Sequence, residues 1–253
     1  MNPGEIINTL AAKHRLTPEQ VRDALDQVLC SSAFQRATGA EFGQLTSEGV
    51  IVFRERGDSL LGEPKHPLSR LLTGELEKVL TDAATAVELE QWQRLHKQVI
   101  HAKIERITPE GDLEVILERT GVFGETTSEL IARCHHLNLS HRDRQNLRPG
   151  DTRYFYVQKV NAVRHGDAPA SISIELSRVT PRLAEYLVRK AMKGKAVTFK
   201  CWKRVVGKVS YIESEGFIPL EAIKAAGREL DERVKVDYKK ATTPRRERLA
   251  VNA

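Results

Sequence analysis

The sequence predicts a multidomain α+β protein, and three observations carry that prediction. Apolar residues recur at helical spacing over most of residues 1–97, the period drops to two at residue 98, and from residue 181 helix and strand patterns alternate. The length of 253 residues corresponds to about 1.7 average domains, so two or three small ones fit. With 40% hydrophobic and 29% charged residues the chain is near the globular average, which excludes wholesale disorder.

In the first segment Thr17-Pro18-Glu19-Gln20 combines an N-cap, a proline at the first helical position and a capping-box glutamine. Val21, Ala24, Leu25, Val28 and Leu29 follow at helical spacing, which predicts one helix running to about residue 35. An earlier helix over about residues 3–13 is expected to pack on it through Ile6, Ile7 and Leu10. Val50-Ile51-Val52-Phe53 is β-type and should pair with the stretch around Phe42, while residues 57–66 read as a loop. A long helix is predicted from about residue 67 to 96, with Leu68, Leu71, Leu72, Val79, Leu80 and Ala83 on one face. Residues 1–97 thus form an α/β head with a connecting helix.

At residue 98 the chain turns to strands. Ile100, Ala102 and Ile104 alternate with polar residues, Pro109-Glu110-Gly111-Asp112 makes a turn, and Leu113, Val115 and Leu117 alternate again. Residues 128–134, 152–160 and 171–176 complete five short strands, with Arg148-Pro149-Gly150-Asp151 as a turn after a polar connection. Five strands in about 80 residues predict a small closed antiparallel barrel over 98–180, because closure removes exposed edges. The strand count favours an OB-type barrel, and periodicity leaves an SH3-like barrel open. Residues 181–240 then read helix, two strands (about 196–204 and 208–213), a helix opened by Pro219, and a closing strand at 233–238. The basic tail, 241–253, lacks periodicity and is predicted to be mobile.

Several classes are excluded or disfavoured. No apolar run approaches the ~18 residues of a membrane span, and Met1-Asn2-Pro3-Gly4-Glu5 does not begin a secretory signal. Cys30, Cys134 and Cys201 form no C-x-x-C pair, so a reducing, cytoplasmic setting is expected. Net charge is −3 over residues 1–97, +1 over 98–182 and +8 over 183–253. An acidic head and a basic C-terminal third predict a protein partner at one end and a polyanion at the other.

No motif carries catalysis: there is no phosphate-cradling Gly-rich loop, no G-x-S-x-G and no H-E-x-x-H. The sequence therefore predicts no enzyme, no cofactor and no small-molecule substrate. Cys134-His135-His136 with His141 is the nearest approach to a metal cluster. Adjacent histidines at a strand end are expected to point to opposite sides, so no metal site is predicted. Nucleic-acid contact is the stronger reading. If Phe155 and Val157 face inward, Tyr154 and Tyr156 face outward, close to Arg142, Arg144 and Arg153. Exposed aromatics among cations suit stacking on unpaired bases. Lys103 and His136 would join that surface. In the last segment Lys200 and Trp202 share a strand face, with Lys203, Arg204 and Lys208 following as a basic strip.

The order of segments, with three local matches, resembles the family of the bacterial transcription elongation and termination factor NusA. Residues Pro18 to Leu29, the turn Leu147-Arg148-Pro149-Gly150-Asp151, and Ile174-Glu175-Leu176-Ser177-Arg178-Val179-Thr180-Pro181 with Leu183 and Leu187 carry the resemblance over about residues 5–238. It implies a polymerase-binding head, an S-one-type OB domain and a KH domain over 181–240, hence RNA polymerase and single-stranded RNA as partners and a role in elongation, termination or antitermination. One departure bears on mechanism: where a KH domain places its G-x-x-G loop between two helices, this chain has Gly216-Phe217-Ile218-Pro219 followed directly by a helix. A degenerate KH domain in a reduced relative is the expectation. The alternatives are a ribosome- or mRNA-associated RNA-binding protein without polymerase affinity, and a protein–protein adaptor that has lost RNA binding.

Overall fold

The structure, a computed structural model, describes residues 3–39, 41–45, 50–53, 59–61, 68–118, 129–166, 168–192 and 196–238. Among these the chain is mixed α+β, with seven α-helices, a five-stranded sheet closed into a barrel and two three-stranded sheets. It divides into two compact units, residues 1–94 with 160–173, and residues 95–159 with 174–253. No described helix is long and apolar enough to cross a membrane.

The first unit opens with α1 (Pro3–His14), α2 (Pro18–Leu29) and α3 (Ser32–Thr38). The predicted capping box forms: Gln20 N–H donates to Thr17 Oγ1 at 3.2 Å, and Thr17 N–H to Gln20 Oε1 at 2.8 Å. The helix predicted to continue to residue 35 instead stops at Leu29. Ser31 caps a new helix by accepting the Phe34 N–H at 3.2 Å, and the turn buries Phe34. Strands β1 (Phe42–Leu45) and β2 (Val50–Phe53) pair antiparallel with Phe42 opposite Phe53, as expected. A third strand, β3 (Ser59–Leu61), pairs with β2 inside the stretch predicted to be a loop. Three residues are too few for a period to register, so the pairing exists only through its neighbour. The long helix α4 spans Leu68–Gln93 and closes a core of Ile7, Ala11, Leu16, Val21, Ala24 and Leu80 with α1 and α2. Residues 160–173 are held on α4: Asp82 accepts the Ala170 N–H at 2.9 Å and pairs with Arg164, and the Thr85 hydroxyl donates to the Ala170 carbonyl at 3.0 Å.

The second unit begins with β4 (Val99–Ile107), β5 (Leu113–Glu118) and β6 (Glu129–Cys134), followed by a 3₁₀ turn at His136–Asn138 and a short helix α5 (His141–Asn146) where the sequence showed only a polar connection. Ser140 caps α5 reciprocally with Asp143. Strands β7 (Thr152–Val163) and β8 (Ser171–Ser177) complete a closed barrel of order β4-β5-β6-β8-β7, in which β6 and β8 run parallel. Ile104, Leu113, Val115, Phe155, Val157, Ile174 and Leu176 are each at most 2% exposed, and each large apolar chain so buried contributes about 1.5–3 kcal/mol. The Arg148–Asp151 turn docks on β4, where the Gly150 N–H donates to the Ile104 carbonyl at 2.8 Å with Gly150 at φ +93°, a conformation that favours glycine.

The chain continues into α6 (Pro181–Ala191), β9 (Phe199–Val205), β10 (Val209–Ser214), α7 (Leu220–Leu230) and β11 (Arg233–Tyr238). The sheet order is β11-β10-β9, with β9 and β10 antiparallel and β10 and β11 parallel, so α7 is the crossover that parallel pairing requires. Both helices pack on one sheet face around Leu183, Leu187, Phe199, Cys201, Ile212, Ile218 and Leu230. Residues 215–219 pass from β10 to α7 without an intervening helix, anchored by Ile218 at 1% exposure. The tail predicted at 241–253 lies outside the described residues.

Candidate nucleic-acid interface

A groove of about 800 Å³ runs between α7 and the edge strand β11. Its apolar lining is Leu220, Ile223 and Val234, and its cations are Arg142, Lys208, Lys224, Arg228, Arg233 and Lys235. Helical and strand periods produce this arrangement. Lys224 and Arg228 are four apart on α7 and share a face, and Arg233 and Lys235 are two apart on β11 and share one too. The helix can lie close to the strand that follows it because residue 227 is glycine: a Cβ there would sit 2.8 Å from the Glu232 carbonyl oxygen. Two acids also line the groove, and both are engaged. Glu232 is fully enclosed by Arg204 Nε at 2.8 Å, the Ser210 hydroxyl at 2.5 Å and the Gly207 N–H at 3.1 Å. Asp231 accepts from Arg142 at 3.3 Å and from Asn146 at 3.2 Å. The field left in the groove is positive over an apolar floor, the combination that suits a nucleic-acid backbone with its bases turned inward.

The predicted site residues distribute differently from their expected surface. Tyr154 and Tyr156 do leave the barrel interior, but neither forms an exposed platform. Tyr154 packs against the core beneath α6, with the His101 ring centroid at 4.3 Å and the Lys190 ammonium 4.3 Å above its ring, and Lys190 donates to its hydroxyl. Tyr156, opposite Val99 in the ladder, is 9% exposed. Alternation told which side of β7 the rings take; it carried no information on what covers that side. Arg204 is corrected as well: its side chain is 2% exposed and donates to Glu232 and to the carbonyls of Arg178 and Thr180 at 2.8 and 2.7 Å. Arg142 forms a wall of the groove through its contact with Asp231, whereas Lys103 is exposed on β4, Arg144 is exposed on α5 and Arg153 lies 3.6 Å from Asp151. Lys200, Trp202, Lys203 and Lys208 are exposed. The sequence reading missed Lys224, Arg228, Arg233 and Lys235, although their i, i+4 and i, i+2 spacing was visible.

His136 belongs to a separate cluster. The two histidines do not diverge: β6 ends at Cys134, His135 caps the 3₁₀ turn, and the His135 and His136 ring centroids lie 4.1 Å apart. Asp112, from the β4–β5 turn, joins them in place of His141, and these three are the described residues whose ligand atoms could share one ion. Most of the ligating atoms of the three already have partners. Asp112 Oδ1 accepts the His136 N–H at 2.8 Å and pairs with its Nδ1 at 3.0 Å, Arg133 lies 3.3 Å from Oδ2, and the Leu137 N–H donates to His135 Nδ1 at 3.3 Å. The cluster is a clasp between two turns. Burial works against the Asp112 charge, yet the His136 N–H and ring, His135 and Arg133 hold its carboxyl below the ordinary value. A depressed carboxyl contributes stability above its unfolded pKa and loses it as pH falls through the folded one. Asp112→Asn is therefore expected to cost about 1–3 kcal/mol at neutral pH and to flatten the acid limb of a stability profile taken by urea titration. An unchanged acid limb counts against the clasp.

Neither buried thiol is activated: burial pushes Cys134 up, and burial with the nearby Glu185 pushes Cys201 up. No protein-family model matches this chain, and no curated protein matches it at a significant level.

Proposed function

We propose that this chain is an RNA-binding transcription factor of NusA type, which engages RNA polymerase through residues 1–97 and single-stranded RNA through the α7–β11 groove. The groove is the observation that carries the reading: six cations line an apolar floor, and its two acids are already paired. Topology supports it. A closed barrel of order β4-β5-β6-β8-β7 is compatible with an OB-type barrel, and a helix followed by a strand parallel to β10 is compatible with part of a degenerate KH domain. The mechanism is binding. Holding nascent RNA near a polymerase changes the chance that a hairpin forms or the transcript is released.

Capture of purified bacterial RNA polymerase by the full chain, with and without nuclease, tests this. Nuclease-resistant capture is expected. Capture lost on nuclease treatment replaces the reading with that of a general RNA-binding protein. The protein–protein adaptor remains the second reading because of Gly216–Pro219, where Phe217 is 74% exposed and no G-x-x-G is present to approach a phosphate backbone. An adaptor predicts polymerase capture with no RNA affinity.

A further inference from the structure

The helices α6 and α7 cover one face of the β11-β10-β9 sheet, and among the described residues no other helix or strand packs extensively on the opposite face. Its composition follows from a bulge. The β9–β10 register shifts at Tyr211/Ile212, so that Lys203 is opposite Tyr211 and Cys201 opposite Ile212, with Trp202 as the extra residue. Strict alternation from the inward Cys201 would send Lys203 back to the core. Instead Trp202 and Lys203 are consecutively exposed, and Arg204 turns in toward Glu232. Bulges re-aim side chains in this way. Trp202 is 55% exposed with its ring centroid 5.5 Å from that of Tyr211, and the Lys235 ammonium lies 5.8 Å from the Tyr211 ring. Lys203, Tyr211 and Lys235 form one row across the sheet, and Lys200 and Glu213 begin the next. Lys200, Lys203, Arg233 and Lys235 outnumber Glu213 and Asp237 on this face.

We propose that this open face is a second single-stranded RNA surface, on which an unpaired base stacks against Trp202 while Lys200 and Lys203 contact the flanking phosphates. A largely exposed indole beside a second ring offers the π-face that a splayed base requires, and a paired base in a duplex has no such face to give. The excess of lysine and arginine fits a polyanion. Lys200, Trp202 and Lys203 lie away from both helices and outside the α7–β11 groove, whereas Arg233 and Lys235, on the edge strand β11, border both this face and the groove. It rests on the RNA-binding part of the function proposed above and not on the polymerase part.

The chain has two tryptophans, Trp202 and the 2%-exposed Trp92, so quenching of tryptophan emission by a stacked base reports on Trp202. The full chain is titrated at about 0.15 M salt with a 12-residue oligouridylate, with a duplex RNA of equal length and with oligoglutamate, following both emission and the anisotropy of labelled ligand. Oligouridylate should quench the wild type. Trp202→Ala should abolish the quench and weaken binding about 5- to 100-fold, and Trp202→Phe should recover much of that affinity. Since Trp202 is exposed, a circular-dichroism melt should show both variants folded. Lys200→Glu with Lys203→Glu, which leaves the rings in place, should weaken oligouridylate and reduce its salt slope. Oligouridylate binding that is unquenched and insensitive to Trp202→Ala overturns this surface while leaving the groove intact. Equal affinity for oligoglutamate overturns it as a charge-only contact. Absence of any RNA binding by the wild type overturns both this surface and the RNA reading beneath it.

Discussion

Replacing Arg178 by methionine should lower the unfolding free energy of the second unit by about 3–5 kcal/mol and split its urea transition, as the barrel and the last three strands lose their common anchor. Arg178 is 1% exposed, and every one of its nitrogens is used. Nε donates to Asp143 Oδ1 at 3.1 Å, one terminal nitrogen to the Tyr154 carbonyl at 2.8 Å and Glu229 Oε1 at 3.2 Å, and the other to the Glu229 carbonyl at 2.9 Å. Its guanidinium also lies 5.6 Å from the Phe155 ring. One side chain thus ties α5, β7 and α7 together. Methionine matches the apolar stem but leaves the Asp143 carboxylate, itself 5% exposed, without its cation, and that stranded charge is the source of the cost. Arg178→Met combined with Asp143→Asn should recover part of the loss, because the amide keeps an acceptor for the Ser140 N–H and carries no charge. A cost below about 1 kcal/mol for Arg178→Met, or strict additivity of the pair, would show that this network does not anchor the unit.

The same network explains which parts of the site the sequence concealed. Arg178 lies within the Ile174–Pro181 segment that carries the resemblance, and Arg204 is one more cation in a basic strip. Nothing local distinguishes them from Lys203, because Glu232 is 28 positions from Arg204 and Glu229 is 51 from Arg178. Local codes were legible: the Thr17 capping box, the Gly150 turn, the strand alternation through Ile104 and Val115, and Pro219 at the start of α7 all lie where they were expected. What was lost needed a third dimension. Ser31 reads as an interior residue of a helix until Phe34 is seen to be buried by the break, and Tyr154 reads as exposed until α6 is placed over it. The α7–β11 groove falls between these cases. Its cations had a readable period, but solvated faces show the same period, and only the strand lying alongside turns such a face into a groove.

That groove yields the second large effect. In Lys224→Glu with Arg228→Glu, both exposed side chains change sign without altering helix propensity much, so the fold should hold while single-stranded RNA binding falls about 10- to 100-fold. The salt dependence gives the sharper reading. Each phosphate neutralised on a single strand contributes about 0.7 to the slope of log K against log salt, so loss of two contacts should make the slope shallower by about 1.4. The comparison that decides is Lys103→Glu with Arg144→Glu, which places the same charge change on β4 and α5, at exposed residues that do not line the groove. Exposed charges are screened over about 8–10 Å at physiological salt, so this second pair should leave the slope nearly unchanged if RNA lies between α7 and β11. A second pair as damaging as the α7 pair moves the RNA path onto β4 and α5 and leaves the groove as a structural cleft. Equal indifference to both pairs, with the wild type still binding, transfers the main contact to the open sheet face around Trp202.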